Sequence, residues 1–149
     1  MKLYLASGLG NADKVKELAE YATKLGHTLT YAWWEHGSVQ DQGAERIAEV
    51  GNAELKGVRE ADVVLILLPG ARGTHVELGA ALAFDKPTFI YGDRYDATGR
   101  ECSFYYCDAA IRMNGADPKC LLDALATEKV QTLWRRSPDR SWVEACPRG

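Results

Sequence analysis

The apolar run from Val63 to Leu68 constrains the fold of this chain more than any other feature. An uninterrupted apolar run of this length is typical of a strand buried on both faces, as in a parallel sheet. The run ends at Pro69-Gly70, and the pattern after the turn predicts a helix from about Thr74 to Phe84. Thr88–Tyr91 is then expected to be the next strand. Such strand–loop–helix–strand units bind their ligands beyond the carboxyl ends of the strands.

The rest of the chain repeats the same alternation of strands and helices. Further strands are predicted at Lys2–Ala6 and Thr28–Trp33 and within Tyr105–Met113, and further helices at Ala12–Leu25, Ala44–Glu60 and Pro118–Lys129. This order predicts a doubly wound α/β fold, flavodoxin-like or Rossmann-like, with a five-stranded, mainly parallel sheet and helices on both faces. We expect one domain over residues 1–134, followed by a polar C-terminal tail over residues 135–149.

Composition argues against several classes of protein. The net charge of −3 leaves no basic field for binding nucleic acid, and no apolar run is long enough to cross a membrane. The first ten residues fit a strand better than a signal peptide, so a cytoplasmic protein is expected. The four cysteines form no C-x-x-C pair and the three histidines are scattered, so we expect reduced thiols and no metal site. No dinucleotide or Walker motif is present, and no cofactor is expected.

The helix predicted from Thr74 carries one acid, Glu77, in its first turn. One interpretation is a capping box, because Thr74-x-x-Glu77 matches the S/T-x-x-E pattern. The other is a carboxylate nucleophile that the helix dipole keeps anionic, beside a Gly70–Gly73 turn whose backbone can approach a ligand closely. The sequence leaves both open.

A second acid, Glu54, is predicted to face inward. A step of about 100° per residue places Ile47, Gly51, Leu55 and Val58 on the inner face of the second helix, and Glu54 with them. An inward carboxyl needs a partner or a function. It either bonds to a backbone group or a tyrosine, or it shares a pocket with Glu77 as a second carboxyl that acts as proton donor.

Two further segments are expected at the same edge of the sheet. The loop Ser7-Gly8-Leu9-Gly10 follows the first strand, where it either forms a tight turn or cradles a phosphate group. Trp33-Trp34 follows the second strand, where one ring either packs in the core or stacks on a planar base or sugar.

These residues together resemble the nucleoside 2-deoxyribosyltransferase family and the related nucleoside 5′-monophosphate N-glycosidases. The resemblance covers roughly Lys2 to Tyr91 and is carried by three segments in the right order. They are Tyr4–Gly8, Ala53–Val64 and Gly73–Ala81, the last of which is similar to the family signature Gly-x-x-x-Glu-Leu-Gly-x-Ala.

The resemblance implies a function for each of these segments. Glu77 aligns with the nucleophile that attacks the anomeric carbon and expels the base, and Glu54 with an acidic residue that contacts substrate. The Ser7–Asn11 loop and the region of Arg72-Gly73 would hold a 5′-phosphate. From the residues and the resemblance together, the predicted substrate-binding residues are Ser7, Gly8, Gly10, Asn11, Trp34, Gly70, Arg72, Gly73 and Ser103.

The chain also departs from the family pattern. The loop before the nucleophile helix reads Pro69–Gly73 without the acid of the transferase branch, and Arg72 adds positive charge, which favours a phosphorylated substrate. The first loop lacks the arginine of the monophosphate branch, and its absence favours an unphosphorylated substrate. Family members complete their sites with residues of a partner subunit, so a homodimer or higher homo-oligomer is expected, with Ser103–Tyr106 as the contributed segment.

The sequence therefore predicts an enzyme that cleaves the N-glycosidic bond of a nucleoside or its 5′-monophosphate and passes the sugar to another base or to water. A non-catalytic nucleotide-sensing module on the same fold is the main alternative. A flavodoxin-like electron carrier is a third, although flavin gives Glu77 no evident use.

Overall fold

The computed structural model describes residues 1–113 and 115–127. Its strands are β1 (Lys2–Ser7), β2 (Thr28–Leu29), β3 (Val63–Leu67), β4 (Thr88–Tyr91) and β5 (Ala110–Met113). All neighbouring strands are parallel, and the sheet has the order β2-β1-β3-β4-β5. This is the flavodoxin-like order, so the predicted fold class is confirmed.

Four helices cover the two faces of the sheet: α1 (Ala12–Lys24), α2 (Ala44–Glu60), α3 (Arg72–Ala83) and α4 (Pro118–Thr127). The alternation of side chains along β1 explains why there are two cores. Leu3 and Leu5 point into the core under α1 and α4, whereas Tyr4 and Ala6 point into the core under α2 and α3. Each strand of the sheet centre is thus buried on both faces, as the apolar run at β3 predicted.

The strand order reverses between β1 and β3. The chain leaves β1 toward α1 on one face and leaves β3 toward α3 on the other, so a crevice opens between the two loops. The loops nevertheless come close together at their bases. The side-chain amide of Asn11 donates to the carbonyl of Pro69 at 3.3 Å, and a Cβ on Gly8 would lie 3.2 Å from the same oxygen.

The boundaries of α2 and β4 agree with the prediction, but β2 is shorter than predicted and ends at Leu29. Residues Trp33–Glu35 form a short 3₁₀ helix, in which the Trp33 indole is buried and donates to the carbonyl of Leu5 at 2.7 Å. This bond turns the chain down onto β1, and that is why the apolar pattern there does not continue as a strand.

The inner face of α2 is rotated from the predicted one. Val50, Gly57 and Val58 are buried, whereas Ile47 and Leu55 are 44% and 39% exposed. The buried stripe runs through Gly57, which has no side chain and therefore adds nothing to an apolar periodicity. Glu54 lies at the edge of this stripe and is half-buried. It therefore turns inward as predicted, although the inner face of α2 is not the predicted one.

The expectation of reduced thiols is confirmed for two cysteines and wrong for a third. Cys102 and Cys107 are free, but Cys120 takes part in a disulfide. The predicted tail and the last two residues of the predicted final helix lie outside the described residues. In the part of the chain that is described, no helix has the length and apolar character needed to cross a membrane.

Candidate active site

A cavity of about 790 Å³ lies at the crevice between the ends of β1 and β3. Its walls come from the loop after β1, the segment 33–40, one side of α2, the N-terminal half of α3 and residues 96–98. Both predicted catalytic acids, Glu54 and Glu77, line it. We call it the Glu77 cavity.

Glu77 does not belong to a capping box. The helix begins one turn earlier than predicted, with Ala71 as its N-cap, and the Thr74 hydroxyl accepts from the Ala71 amide at 3.1 Å. Thr74 is thus the third helical residue and not the cap, and Glu77 lies in the second turn, not the first. The Glu77 side chain therefore does not cap the N-terminus of the helix, and it is 7% exposed.

The Glu77 carboxyl is held by a tyrosine from the neighbouring strand. The hydroxyl of Tyr4, on β1, donates a hydrogen bond to Oε1 of Glu77. Tyr4 is completely buried, and burial together with the Glu77 charge raises the pKa of its phenol. The phenol therefore stays protonated, and it serves as a fixed donor that orients one carboxyl oxygen.

Tyr4 reaches this position because α2 carries a glycine where the ring passes. A Cβ on Gly57 would lie 2.8 Å from Cε2 of Tyr4 and 3.0 Å from Cβ of Tyr31, closer than real Cβ contacts. The absence of a side chain at position 57 thus lets α2 approach β1 closely enough to seat both tyrosines.

Burial has a larger effect on Glu77 than the helix dipole. It raises the pKa of this carboxyl to about 8, with a further upward contribution from the Glu54 charge, while the Tyr4 hydrogen bond acts in the opposite direction. A pKa raised in this way favours the protonated carboxyl near neutral pH, whereas the expectation from the sequence was that the helix N-terminus keeps it anionic. A low-dielectric site destabilises the charged form more than the partial charges of a helix end stabilise it.

Glu54 occupies a wetter part of the same cavity. It is half-buried, burial raises its pKa, and the nearby His36 has the opposite, smaller effect. Within the described residues its carboxyl accepts no hydrogen bond, so the interpretation of Glu54 as an acid satisfied by a backbone group or a tyrosine is not supported. Two carboxyls of different burial thus share one cavity, an arrangement that separates their protonation states.

His36 was not foreseen as a residue of the cavity. Its Nδ1 lies 2.8 Å from the carbonyl of Gly37, which only accepts, so this nitrogen carries a proton. Its Nε2 lies 3.0 Å from the Tyr31 hydroxyl. His36 lies in a polar loop without periodicity, so no sequence signal would have placed it beside Glu54.

The predicted phosphate-binding segments form the other end of the cavity. Ser7, Gly8, Gly70, Arg72 and Gly73 all line it. The Ser7 hydroxyl donates to the carbonyl of Leu67 at 2.7 Å and accepts from Nδ2 of Asn11 at 2.9 Å. Asn11 itself stays outside the cavity and ties the two loops together.

The remaining predicted site residues are not brought to this cavity. Gly10 does not line it, and Trp34 lines a separate depression formed with α1 and the residues around β2. Ser103 is exposed at the start of a short 3₁₀ helix, Ser103–Tyr106. Trp34 is displaced because the chain turns at Trp33, which lines the Glu77 cavity instead.

A loop after β4 also reaches the cavity, which the sequence did not indicate. The amide of Ala97 donates to the carbonyl of Gly70 at 2.9 Å, and this bond holds residues 96–98 over the N-terminus of α3. His75 lines the cavity as well, but its ring stacks on Tyr105 and bonds to that hydroxyl, so it is not paired with Glu77. No cluster of three metal-ligating side chains occurs in the described segments.

The fold and this cavity together place two carboxyl groups, Glu54 and Glu77, at the topological switch point of an α/β sheet. The sequence profile of the nucleoside 2-deoxyribosyltransferase family matches residues 3–123. The chain therefore belongs to that family, and the resemblance drawn from the three motifs is confirmed.

Two solved structures are similar in fold. The 2-deoxyribosyltransferase of Bacillus psychrosaccharolyticus has a TM-score of 0.62 at 21% identity, over 89% of this chain and 95% of its own. The CMP N-glycosidase of Clostridium botulinum has a TM-score of 0.55 at 15% identity, over 84% of this chain and 98% of its own. No curated protein matches this chain by sequence.

Proposed function

We propose that this enzyme cleaves the N-glycosidic bond of a nucleoside or nucleoside 5′-monophosphate, with Glu77 as nucleophile and Glu54 as proton donor. The observation that carries the proposal is that two carboxyls of unequal burial face one cavity and that a buried phenol orients one of them. Relatives whose described activities break or exchange such bonds add support.

The chemistry follows from where the charges develop. The Glu77 carboxylate attacks C1′ of the sugar, the C1′–N bond breaks, and the base leaves with the bonding electrons and a proton from Glu54. The product is a glycosyl ester of Glu77. Water or a second base then attacks C1′, restores the Glu77 carboxylate, and returns its proton to Glu54.

The high pKa of Glu77 suits this reaction. Burial destabilises its ionised form, and the positive charge that develops on the sugar ring during bond cleavage relieves that cost. The reactive form has Glu77 ionised and Glu54 protonated, because only an ionised carboxylate attacks C1′ and only a protonated carboxyl donates a proton to the base. The Tyr4 hydrogen bond keeps the attacking carboxylate in a single orientation.

We also propose that the substrate carries a 5′-phosphate. Arg72, in the first turn of α3, and the loop around Ser7 and Gly8 line the same cavity. The positive charge of the Arg72 guanidinium complements the negative charge of a phosphate. Replacement of Arg72 by Ala should raise KM for monophosphates at least tenfold and leave KM for unphosphorylated nucleosides unchanged. An equal effect on both substrate classes would contradict this part of the proposal.

The test of the main proposal is base release measured by HPLC on a panel of nucleosides and 5′-monophosphates. A trapped glycosyl ester on Glu77, seen by mass spectrometry, would support the nucleophile, and addition of a second base would separate transfer from hydrolysis. Stabilisation by nucleotides without product over hours would instead favour a nucleotide-sensing module.

We further propose that the protein forms a homodimer. Val76, Phe104 and Tyr106 are 69%, 52% and 55% exposed, which is unusual for side chains of this size. Ser103, which lies beside Phe104, would then reach the cavity of the partner subunit. Light scattering should give twice the chain mass, and Val76→Arg should shift it toward the monomer. A monomer at micromolar concentration would contradict the proposal.

A further inference from the structure

A second cavity, of about 360 Å³, lies at the same edge of the sheet but on the opposite face. The N-terminal half of α1, the start of α4 and the ends of β3 and β4 surround it, and Tyr91 is one of its lining residues. We call it the Tyr91 cavity. Asn11, which ties the two loops together beside the Glu77 cavity, also lines it. Neither Glu54 nor Glu77 nor Arg72 does.

The Tyr91 side chain is unsatisfied in a way that is rare for buried polar groups. The residue is 3% exposed, and its hydroxyl has no hydrogen-bond partner among the described residues. An unpaired buried hydroxyl costs roughly 1–3 kcal/mol, so native proteins usually pair such groups with protein, water or ligand. Tyr91 therefore brings a buried hydroxyl without a partner in the described part of the chain to the lining of this cavity.

The surroundings of Tyr91 indicate the chemistry of the group it would bind. Leu18, Leu67 and Leu68 supply apolar walls, and the Asp117 carboxylate lies near enough for its charge to raise the pKa of the Tyr91 phenol. One oxygen of Asp117 caps α4 by accepting from the Lys119 amide at 2.9 Å. The phenol offers a donor and the carboxylate an acceptor, which complements a ligand edge with adjacent acceptor and donor atoms.

The rim carries balanced charges and so selects against strongly charged ligands. Lys14 and Lys119 face Glu17 and Asp117, and Lys119 is already bonded to Glu17 at 2.8 Å. No net field of one sign therefore favours an anion or a cation. Leucine walls beside one hydrogen-bonding phenol fit an uncharged aromatic ring better than a sugar or a phosphate.

We infer that the Tyr91 cavity is a second ligand site that binds an uncharged planar heterocycle with adjacent donor and acceptor atoms, the chemical class of the nucleobases. Its volume accommodates a ring system of one or two rings. The inference does not rest on the proposed reaction, because the residues and the binding readout differ.

The location of the site is tested with 5-bromouracil soaked into crystals of the protein. The anomalous signal of bromine should appear beside the Tyr91 hydroxyl, with or without a second peak in the Glu77 cavity. Bromine in the Glu77 cavity alone, or in neither cavity, would overturn the inference.

The contribution of the phenol is tested by calorimetric titration with uracil and adenine. The Tyr91→Phe variant should bind at least one of them about fivefold more weakly than the wild type, because it lacks one hydrogen bond of about 1 kcal/mol. Tyr21→Phe is the matched control, since that exposed phenol bonds to Asp123 and lies outside the cavity. Equal affinities in Tyr91→Phe and wild type would overturn the inference, whatever the outcome of the base-release assay.

A second variant separates the donor from the acceptor. Asp117→Asn keeps the oxygen that caps α4 but replaces the other acceptor by a donor. It should therefore weaken the binding of the base that Tyr91→Phe also binds more weakly, and it should leave the helix folded. Retained affinity in this variant would contradict the assigned binding edge.

Discussion

The Glu77 cavity and the Tyr91 cavity lie at one edge of one sheet, yet their buried polar groups differ in whether they have hydrogen-bond partners. On the α2–α3 face, Glu77 and Tyr4 satisfy each other, and Glu54 remains partly hydrated. On the α1–α4 face, the Tyr91 hydroxyl is buried without a partner among the described residues, and the charges around the rim balance. The Glu77 cavity therefore holds a buried carboxyl that a hydrogen bond orients, whereas the Tyr91 cavity holds a buried phenol that no described residue orients.

The largest expected effect separates the two cavities by their contribution to catalysis. Glu77→Gln should lower kcat for base release by at least about 10³-fold, since an amide neither attacks C1′ nor carries negative charge. Tyr91→Phe should leave kcat and KM for the same substrate unchanged. Comparable losses in both variants would mean that the cavities do not have separate functions.

A smaller loss is expected for the proton donor. Glu54→Gln should lower kcat/KM by about 10²-fold and should remove the alkaline limb of its pH profile, because that limb reports loss of the donated proton. Substrates with better leaving groups should be less affected than poor ones. If the variant keeps the wild-type pH profile, Glu54 binds substrate but does not donate a proton.

Two glycine variants on neighbouring helices test how closely the Tyr4 ring packs against α2. Gly57→Ala should lower the free energy of unfolding by about 1–3 kcal/mol and should also lower kcat, since its Cβ displaces Tyr4 from Glu77. Gly79→Ala has open space around its Cβ and should raise the free energy of unfolding by up to about 1 kcal/mol. Chemical denaturation measures both, and equal changes would contradict the close contact at Gly57.

The smallest effect concerns stability. Burial raises the pKa of Glu77 from 4.5 to about 8, so within this window the folded state holds a proton that the unfolded state releases. The free energy of unfolding should therefore fall as pH rises through the window. Glu77→Gln still accepts from Tyr4 but does not titrate, so its melting temperature should exceed that of wild type at pH 8 and should exceed it by less near pH 5. A difference independent of pH would show that Glu77 is not buried as described.

The comparison also shows how far sequence reasoning reached. Glu77 was found because an acid in an apolar helix is an anomaly, and Glu54 because its position indicated an inward carboxyl. Trp34 lines a separate depression and not the Glu77 cavity, because the bond from Trp33 to Leu5 ends β2 early and directs Trp34 elsewhere. His36 and the loop at residues 96–98 were missed, because nothing local marks a residue that reaches the cavity only after folding.

The sequence by itself determined the order of strands and helices, the parallel sheet and the two acids at its edge. Those features depend on local periodicity and on the rule that parallel strands end at the same edge. Tertiary structure alone decided the pairing of Tyr4 with Glu77, the raised pKa of that carboxyl and the unpaired phenol of Tyr91. Each depends on how completely packed elements distant in the chain exclude water, and periodicity carries no information about that.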